Sequence, residues 1–439
     1  MDSSVPSVTK TTPKPKLSRT KIRIAICTAL ILTCIIIAIV AYFLITHRNN
    51  SSSDGGTTKI STSTTSSQKT STTSEVANST STNPISNATS TNAQCRALPF
   101  SSYQSYMTGN KPWSISIADL NNDDYQDIVV VNAYDPSVTI YLNYGNGTIR
   151  NTSSIIVGTY SVFVTAADLN EDNTTDLIVA QASANSLGVL FGFGNGTFNT
   201  RLNIPVGNYP YGVNAGDFNN DNHLDLVAVN DYDNTASILL GFGNGTFQSY
   251  NLLPTGLYVT AVVTADFNKD QHLDFAATDY SSNTVSVYLG YGNGSFQQRQ
   301  PYSTGKSPWG LAIADFNNDN YTDIVTANYD ASTVSVFFGN GDGTFRSQIV
   351  YSTGPYPRSV AVGDLNDDTN IDIVTGSGSG NYVSVFLNNG DGTFAKPMSL
   401  TTDAQVSAVA IGDLNGDDRL DIVTTSVSTK TLNIFLNSC

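Results

Sequence analysis

Histidine is almost missing from this chain. Only His47, His223 and His272 occur among 439 residues. No Ser-His-Asp or Cys-His set can be assembled from them, which argues against nucleophilic hydrolase chemistry of that kind. Cysteine is as scarce. Cys27 and Cys34 lie in an apolar run near the N-terminus, and Cys95 and Cys439 bracket everything that follows. Basic residues are few, with 21 Lys and Arg against 36 Asp and Glu and a formal charge of −15. That balance disfavours nucleic acid as a partner, because phosphate backbones are held by clustered Lys and Arg. Beyond about residue 95 there is no helical periodicity.

What the chain does have is repetition. A nine-residue acidic loop, D-x-N-x-D-x-x-x-D, occurs seven times at a fixed spacing of 49 residues. The first three copies are Asp119, Asn121, Asp123, Asp127; Asp168, Asn170, Asp172, Asp176; and Asp217, Asn219, Asp221, Asp225. Two more are Asp266, Asn268, Asp270, Asp274 and Asp315, Asn317, Asp319, Asp323. The last two are Asp364, Asn366, Asp368, Asp372 and Asp413, Asn415, Asp417, Asp421.

Oxygen ligands at positions 1, 3, 5 and 9, with a backbone carbonyl at position 7, suit Ca2+, which takes six to eight hard oxygens. Magnesium prefers to keep several waters. Zinc favours Cys and His, and neither occupies a ligand side-chain position here. His223 and His272 fall at position 7, where only the backbone carbonyl ligates. Three carboxylates in each of seven loops account for 21 of the 36 acidic residues. Up to seven bound Ca2+ ions would bring the formal charge close to zero, so the acidity reads as a metal-site property. Position 6, often Gly in calcium loops, is Asp124, Asn173, Asn222, Gln271, Asn320, Thr369 and Asp418. Gln271 and Thr369 accept left-handed backbone less readily, so the fourth and sixth loops are expected to be the weaker sites.

A period of 20–50 residues signals a solenoid, propeller or array. In the fifth unit, extended stretches run through Gly310–Ala314, Asp323–Ala327, Val334–Phe338 and Phe345–Tyr351. Four short strands per unit predict a propeller blade, and seven units an all-β, seven-bladed propeller. A Gly-Asn-Gly-Thr-Phe turn recurs at Gly194–Phe198 and Gly243–Phe247 and, with Ser, at Gly292–Phe296. Asn-Gly suits such a turn because both residues accept positive φ. The chain stops before the turn aromatic of the seventh unit. Seven periods earlier, that register position is Phe100. The N-terminal segment is therefore expected to supply the fourth strand of the last blade, closing the ring. In ring register Cys439 lands next to Cys95, and a Cys95–Cys439 disulfide is expected in an oxidising compartment.

The acidic loop followed by Gly-Asn-Gly-Thr-Phe resembles the FG-GAP (VCBS) repeat, as in the propeller of integrin α-subunits, over about residues 97–439. The resemblance implies calcium bound in the hairpin between the first and second strands of each blade. Two features depart from integrins. Every blade carries a loop here, and there is no sign of the leg domains that follow in integrins. Ligand specificity is not implied.

The remaining chain suggests surface display. Ile24–Ile45 is an apolar run long enough to span a bilayer. Lys10, Lys14, Lys16, Arg19, Lys21 and Arg23 precede it, which places the N-terminus in the cytoplasm and the propeller outside. The expected organisation is a basic tail (1–23), a retained signal-anchor (24–45), a Ser/Thr-rich glycosylated stalk (46–94) and the propeller (95–439). Sequons begin at Asn49, Asn50, Asn78 and Asn87, and again at Asn146, Asn195, Asn244 and Asn293 in the turns. Turn geometry alone also favours Asn-Gly, so the last four carry a second reading.

Both tryptophans, Trp113 and Trp309, share one repeat position, which Tyr211 and Arg358 fill in the third and sixth units. Val162, Thr260 and Ser407 complete the series. Tyr134, Tyr232 and Tyr329 lie in neighbouring loops. Exposed aromatics and Arg mark binding sites; a wedge between adjacent blades is the other reading for the tryptophans. The irregular series favours one composite site over seven equal ones. The expected function is an adhesion or recognition module for an extracellular protein or glycan. A carbohydrate-active enzyme is the alternative, for which no acid/base pair stands out.

Overall fold

The computed structural model describes residues 100–199 and 202–438. These form seven four-stranded antiparallel sheets. In the first blade the strands are Pro112–Ala118, Asp127–Asn132, Ser137–Asn143 and Ile149–Ile156, in that order from the axis outward. The seventh blade takes Val406–Gly412, Asp421–Ser426 and Thr431–Phe435 from the C-terminal end of the chain. Its fourth strand is Gln104–Met107, paired with Thr431–Phe435. Phe100 bridges Asn437 as Phe345 bridges Gly339 in the fifth blade. The ring closes as expected, and closure removes the free edges that an open stack of blades would expose. In the fifth blade the strands are Pro308–Ala314, Asp323–Asn328, Thr333–Phe337 and Ile349–Ser352. The last starts later than expected, because Phe345 belongs to the turn.

The core lies between blades. Successive side chains of a strand point to opposite faces. In Asp127–Asn132, Ile128 and Val130 pack toward the seventh blade, with Leu414, Val423 and Ile434. Val129 and Val131 pack toward the second blade, with Val164, Leu177 and Val179. Both faces are buried, which is why these strands read as unbroken apolar runs. The turn aromatics join the same seams: Phe296 meets Phe218 of the preceding blade edge-on at 5.5 Å, and Phe345 meets Phe267 at 5.6 Å.

The turns differ from expectation in one respect. The left-handed residues are the two glycines, Gly145 (φ 73°) and Gly147 (φ 75°) in the first blade, rather than the Asn between them. Gly147 also donates its N–H to the Leu414 carbonyl at 2.7 Å, across the blade boundary. Gly196, Gly245 and Gly294 do the same to Leu120, Leu169 and Phe218. Each of these four turns thus clasps position 2 of the preceding blade's acidic loop.

The expected anchor, stalk and Cys95–Cys439 pair lie outside the described residues. Among the described residues no helix is long and apolar enough to cross a membrane.

Candidate functional site

The acidic loops and the glycine turns share the lower face of the ring. The upper face carries the loops that join second to third strands and those that enter each first strand. On the upper side, the expected ligand residues come together on the propeller axis. The cause is local. Each first strand but that of the sixth blade has a register shift at its start, as between Pro112 and Ser114. The skipped residues are Trp113, Val162, Tyr211, Thr260, Trp309 and Ser407. A bulge re-aims the side chain it frees from the ladder, here toward the axis.

The tryptophans do not wedge between adjacent blades; they meet across the ring, in blades one and five. Their rings are 6.5 Å apart, edge to face. Trp113 Nε1 donates to the Tyr211 hydroxyl at 2.7 Å, and Tyr211 lies 5.7 Å from Trp309. The Arg358 guanidinium rests on Trp113 at 4.1 Å and Trp309 at 4.6 Å. Its buried Nε has no hydrogen-bond partner, and no ion pair to it occurs among the described residues. The channel around this plug holds a cavity of about 280 Å³ lined by all seven first strands.

From this centre an aromatic arc spreads over the upper face. Consecutive ring spacings from Tyr134 through Tyr160, Tyr209, Tyr232 and Tyr258 to Tyr280 run from 4.1 to 6.4 Å. Trp309, Tyr329 and Tyr356 continue it. Tyr134 and Tyr232 are more than half exposed. Lys111 sits 4.1 Å over Tyr134 and 4.3 Å over Trp113. Four arc tyrosines hold left-handed backbone: Tyr160, Tyr209, Tyr258 and Tyr356, with φ of 54–61°. A bulky side chain there costs about 1–2 kcal/mol. The strain is held by caps from neighbouring loops, such as Asn234 Oδ1 accepting from Tyr258 N–H at 2.8 Å. Beneath the arc, Asp231 is buried with one carboxylate oxygen unpartnered, and burial pushes its pKa up to about 7. Sequence reasoning missed Tyr160, Tyr209, Tyr258 and Tyr356. They share one register position, and the comparison that singled out the tryptophans would have found them.

Each acidic loop is a compact turn. Asp168 Oδ2 accepts from Asn173 N–H at 2.8 Å and Asp172 Oδ1 from Thr174 N–H at 2.9 Å. The other loops repeat this pattern. Positions 4 and 6 are both left-handed in every copy. Gln271 (φ 68°) and Thr369 (φ 69°) take the same conformation as the rest, so backbone shape does not set the fourth and sixth loops apart. The position-9 carboxylates of Asp127, Asp176, Asp225, Asp274, Asp323, Asp372 and Asp421 are fully buried. Each joins two segments. Asp225, for example, accepts from Gly241 N–H at 2.7 Å and Phe218 N–H at 2.9 Å. Burial pushes their pKa up to about 6, and to about 7 in Asp323 and Asp372. The N–H bonds oppose this, and the position-5 and position-1 carboxylates add to it. Positions 1, 5 and 9 are therefore close enough to repel.

Among the described residues no three Asp, Glu, His or Cys side chains close to metal-ligand spacing; position 9 is turned to the backbone instead. The donor set nevertheless fits a hard divalent cation. Its side-chain donors are oxygens, and carboxylate oxygens keep lone pairs beyond one N–H bond. In the sixth loop, Asn366 Oδ1 at position 3 is buried without a hydrogen-bond partner.

Fold and loops together define a seven-bladed propeller with one acidic loop per blade. The FG-GAP-like repeat matches at residues 119–179, 168–228, 217–277, 266–326, 315–375 and 364–424. The chain belongs to the FG-GAP-like repeat family. No curated protein sequence matches it. Among solved structures, it is similar to BBS1N, seen in complex with ARL6DN. That match has a TM-score of 0.57 at 12% identity and covers 77% of this chain and 97% of that one. It is also similar to an Agrocybe aegerita lectin that recognises non-reducing terminal N-acetylglucosamine. There the TM-score is 0.50 at 19% identity, covering 75% of this chain and 86% of the lectin. Kuenenia stuttgartiensis hydrazine synthase matches with a TM-score of 0.54 at 10% identity over 75% of this chain and 96% of that one. At these identities the likeness is one of fold.

Proposed function

We propose that this propeller is an extracellular recognition module. It is displayed from a membrane anchor on a stalk, steadied by calcium in its acidic loops, and takes a protein or glycan ligand on its aromatic upper face. The observation that carries this reading is Arg358. Its cation is held between two tryptophan faces, with a buried Nε that has no acceptor. Arg358 as a whole is only half-buried and its guanidinium can receive an acidic ligand atom, and the surrounding rings offer rigid apolar area at small entropic cost. The strained tyrosines of the arc support a binding role, since backbone strain clusters at functional sites. Calcium, when bound, would neutralise the paired carboxylates of each loop and stiffen the lower face. Asp119, Asn121, Asp123 and Asp127, with their six repeats, would hold it.

Recognition is favoured over catalysis by the cavity lining, which includes no Asp, Glu or His. Glycoside hydrolysis in its usual form needs two carboxylates. Relatives in fold are described with a protein partner in one case and a terminal sugar in another, and both uses are compatible with this face. The test is binding of the full-length chain in nanodiscs to arrays of glycans and matrix proteins, in calcium and in EDTA. Calcium-dependent binding to one ligand class, lost at least tenfold in Arg358→Ala and Trp309→Ala, supports the reading. Binding that survives both substitutions places the ligand elsewhere and rejects this site.

A further inference from the structure

On the lower face, four surface rings lack partners. Tyr144, Phe193, Phe242 and Tyr291 are each more than half exposed. Among the described residues none of them meets another ring or a cation. They occupy one register position, two residues before Asn146, Asn195, Asn244 and Asn293. In blades five and six that position is Asn340 and Asn389, and the turn Asn is Asp342 and Asp391. Ring and sequon are thus present together in four blades and absent together in two. Turn geometry alone does not require this, because the Asp342 and Asp391 turns close with the same bonds.

Each of the four turns has one geometry. The aromatic residue's N–H donates to the carbonyl of the Thr or Ser four residues on, at 3.0 Å. That pairs the aromatic residue with the sequon hydroxyl residue across the turn and leaves the Asn at the tip. The Asn Oδ1 accepts both the backbone N–H (3.0 Å) and the hydroxyl (2.6 Å) of that Thr or Ser. The amide is polarised through its oxygen, and among the described residues no protein acceptor takes its Nδ2. All four Asn residues are exposed.

We propose that these four turns are N-glycosylation sites in which the aromatic ring is the platform for the first sugar. In the reaction the amide nitrogen attacks the anomeric carbon of a lipid-pyrophosphate-linked oligosaccharide. An N–C bond forms, the bond from that carbon to the pyrophosphate oxygen breaks, the lipid pyrophosphate leaves, and the amide gives up one proton. The apolar face of an N-acetylglucosamine ring then covers exposed aromatic surface that would otherwise face water. The glycans mark out a sector, covering the lower face of blades one to four. The turns of blades five and six, with Asp342 and Asp391 at the tip, carry no such glycan, and the aromatic upper face stays clear. The inference rests on the extracellular placement proposed above.

The chain carries its own controls. Sequons at Asn151, Asn173 and Asn320 have Ile149, Glu171 and Asn318 at the ring position, and the stalk sequons Asn78 and Asn87 report the compartment. The full-length chain is expressed in human cells, and occupancy at every sequon is read by glycopeptide mass spectrometry after enzymatic deglycosylation in heavy-oxygen water. The four turn sites are expected to be nearly full and to exceed Asn173 and Asn320. Phe193→Asn places at that position the residue that blades five and six already carry. It should lower occupancy at Asn195 at least twofold and leave Asn244 unchanged. Conversely, Asp342→Asn creates a fifth turn sequon, which Asn340→Phe in the same chain should fill at least twofold better. Modified stalk sites with bare turn sites would overturn the inference and leave the compartment reading standing. Bare sites throughout would overturn both. Full turn sites insensitive to Phe193→Asn and to Asn340→Phe would reject the role of the ring.

Discussion

Raising the pH of the chelated protein should weaken it, and the seven buried position-9 aspartates set the size of the effect. Their folded pKa values lie near 6 to 7, against an ordinary 3.8. A folded pKa above the unfolded one means that the folded state holds more protons between about pH 4 and 7. Stability from these groups is therefore complete below the unfolded pKa and is lost as pH rises through the folded pKa. A shift of about two units corresponds to about 3 kcal/mol per site. Seven full shifts would exceed the ~5–15 kcal/mol stability of a typical domain, so only part of each is realised. One third of it, about 1 kcal/mol per site, still lowers the melting temperature by on the order of 10 °C. The assay is a series of thermal melts from pH 5 to 8 in EDTA, repeated in millimolar CaCl2. In EDTA the melting temperature should fall with pH. In calcium the fall should shrink or reverse, because the loops then bind as carboxylates. A melting temperature in EDTA that is flat or rises over this range would refute the reasoning. It would mean that two backbone N–H bonds per carboxylate outweigh burial.

Three further outcomes follow from particular residues. Gly196→Ala should destabilise by more than the ~1 kcal/mol of a left-handed Ala, since its Cβ would lie 2.6 Å from Leu142 of the preceding blade; urea titration measures this. Thr369→Gly should stabilise by up to about 1 kcal/mol, because a β-branched residue at φ 69° is relieved; a higher urea midpoint at unchanged slope is the expected result. Deleting residues 100–107 removes the fourth strand of the seventh blade and exposes the edge at Thr431–Phe435. The shortened chain should aggregate or associate, as light scattering would show.

The repeat made most of the fold legible. Strand pattern, turn position and acidic loop all repeat within one 49-residue unit, and local side-chain alternation is enough to specify each. Ring closure was legible too, because Phe100 keeps the register of an absent turn aromatic. The glycine turns were half legible. Sequence marks a tight turn, but only the approach of Leu436 and Leu142 shows that each Gly-Asn-Gly clasps the preceding blade. The ligand face was legible as a set of residue types and illegible as a place. Trp113, Tyr211 and Trp309 are 98 residues apart, and nothing local says that their side chains meet. Curvature of seven blades about one axis brings them together, and a bulge at the start of each of their three strands turns them inward. The sequence by itself determined the periodic parts, because each strand and loop is set by its neighbours along the chain. The tertiary structure alone decided the aromatic centre around Arg358, because closing the ring is what carries residues of blades one, three, five and six to a common axis.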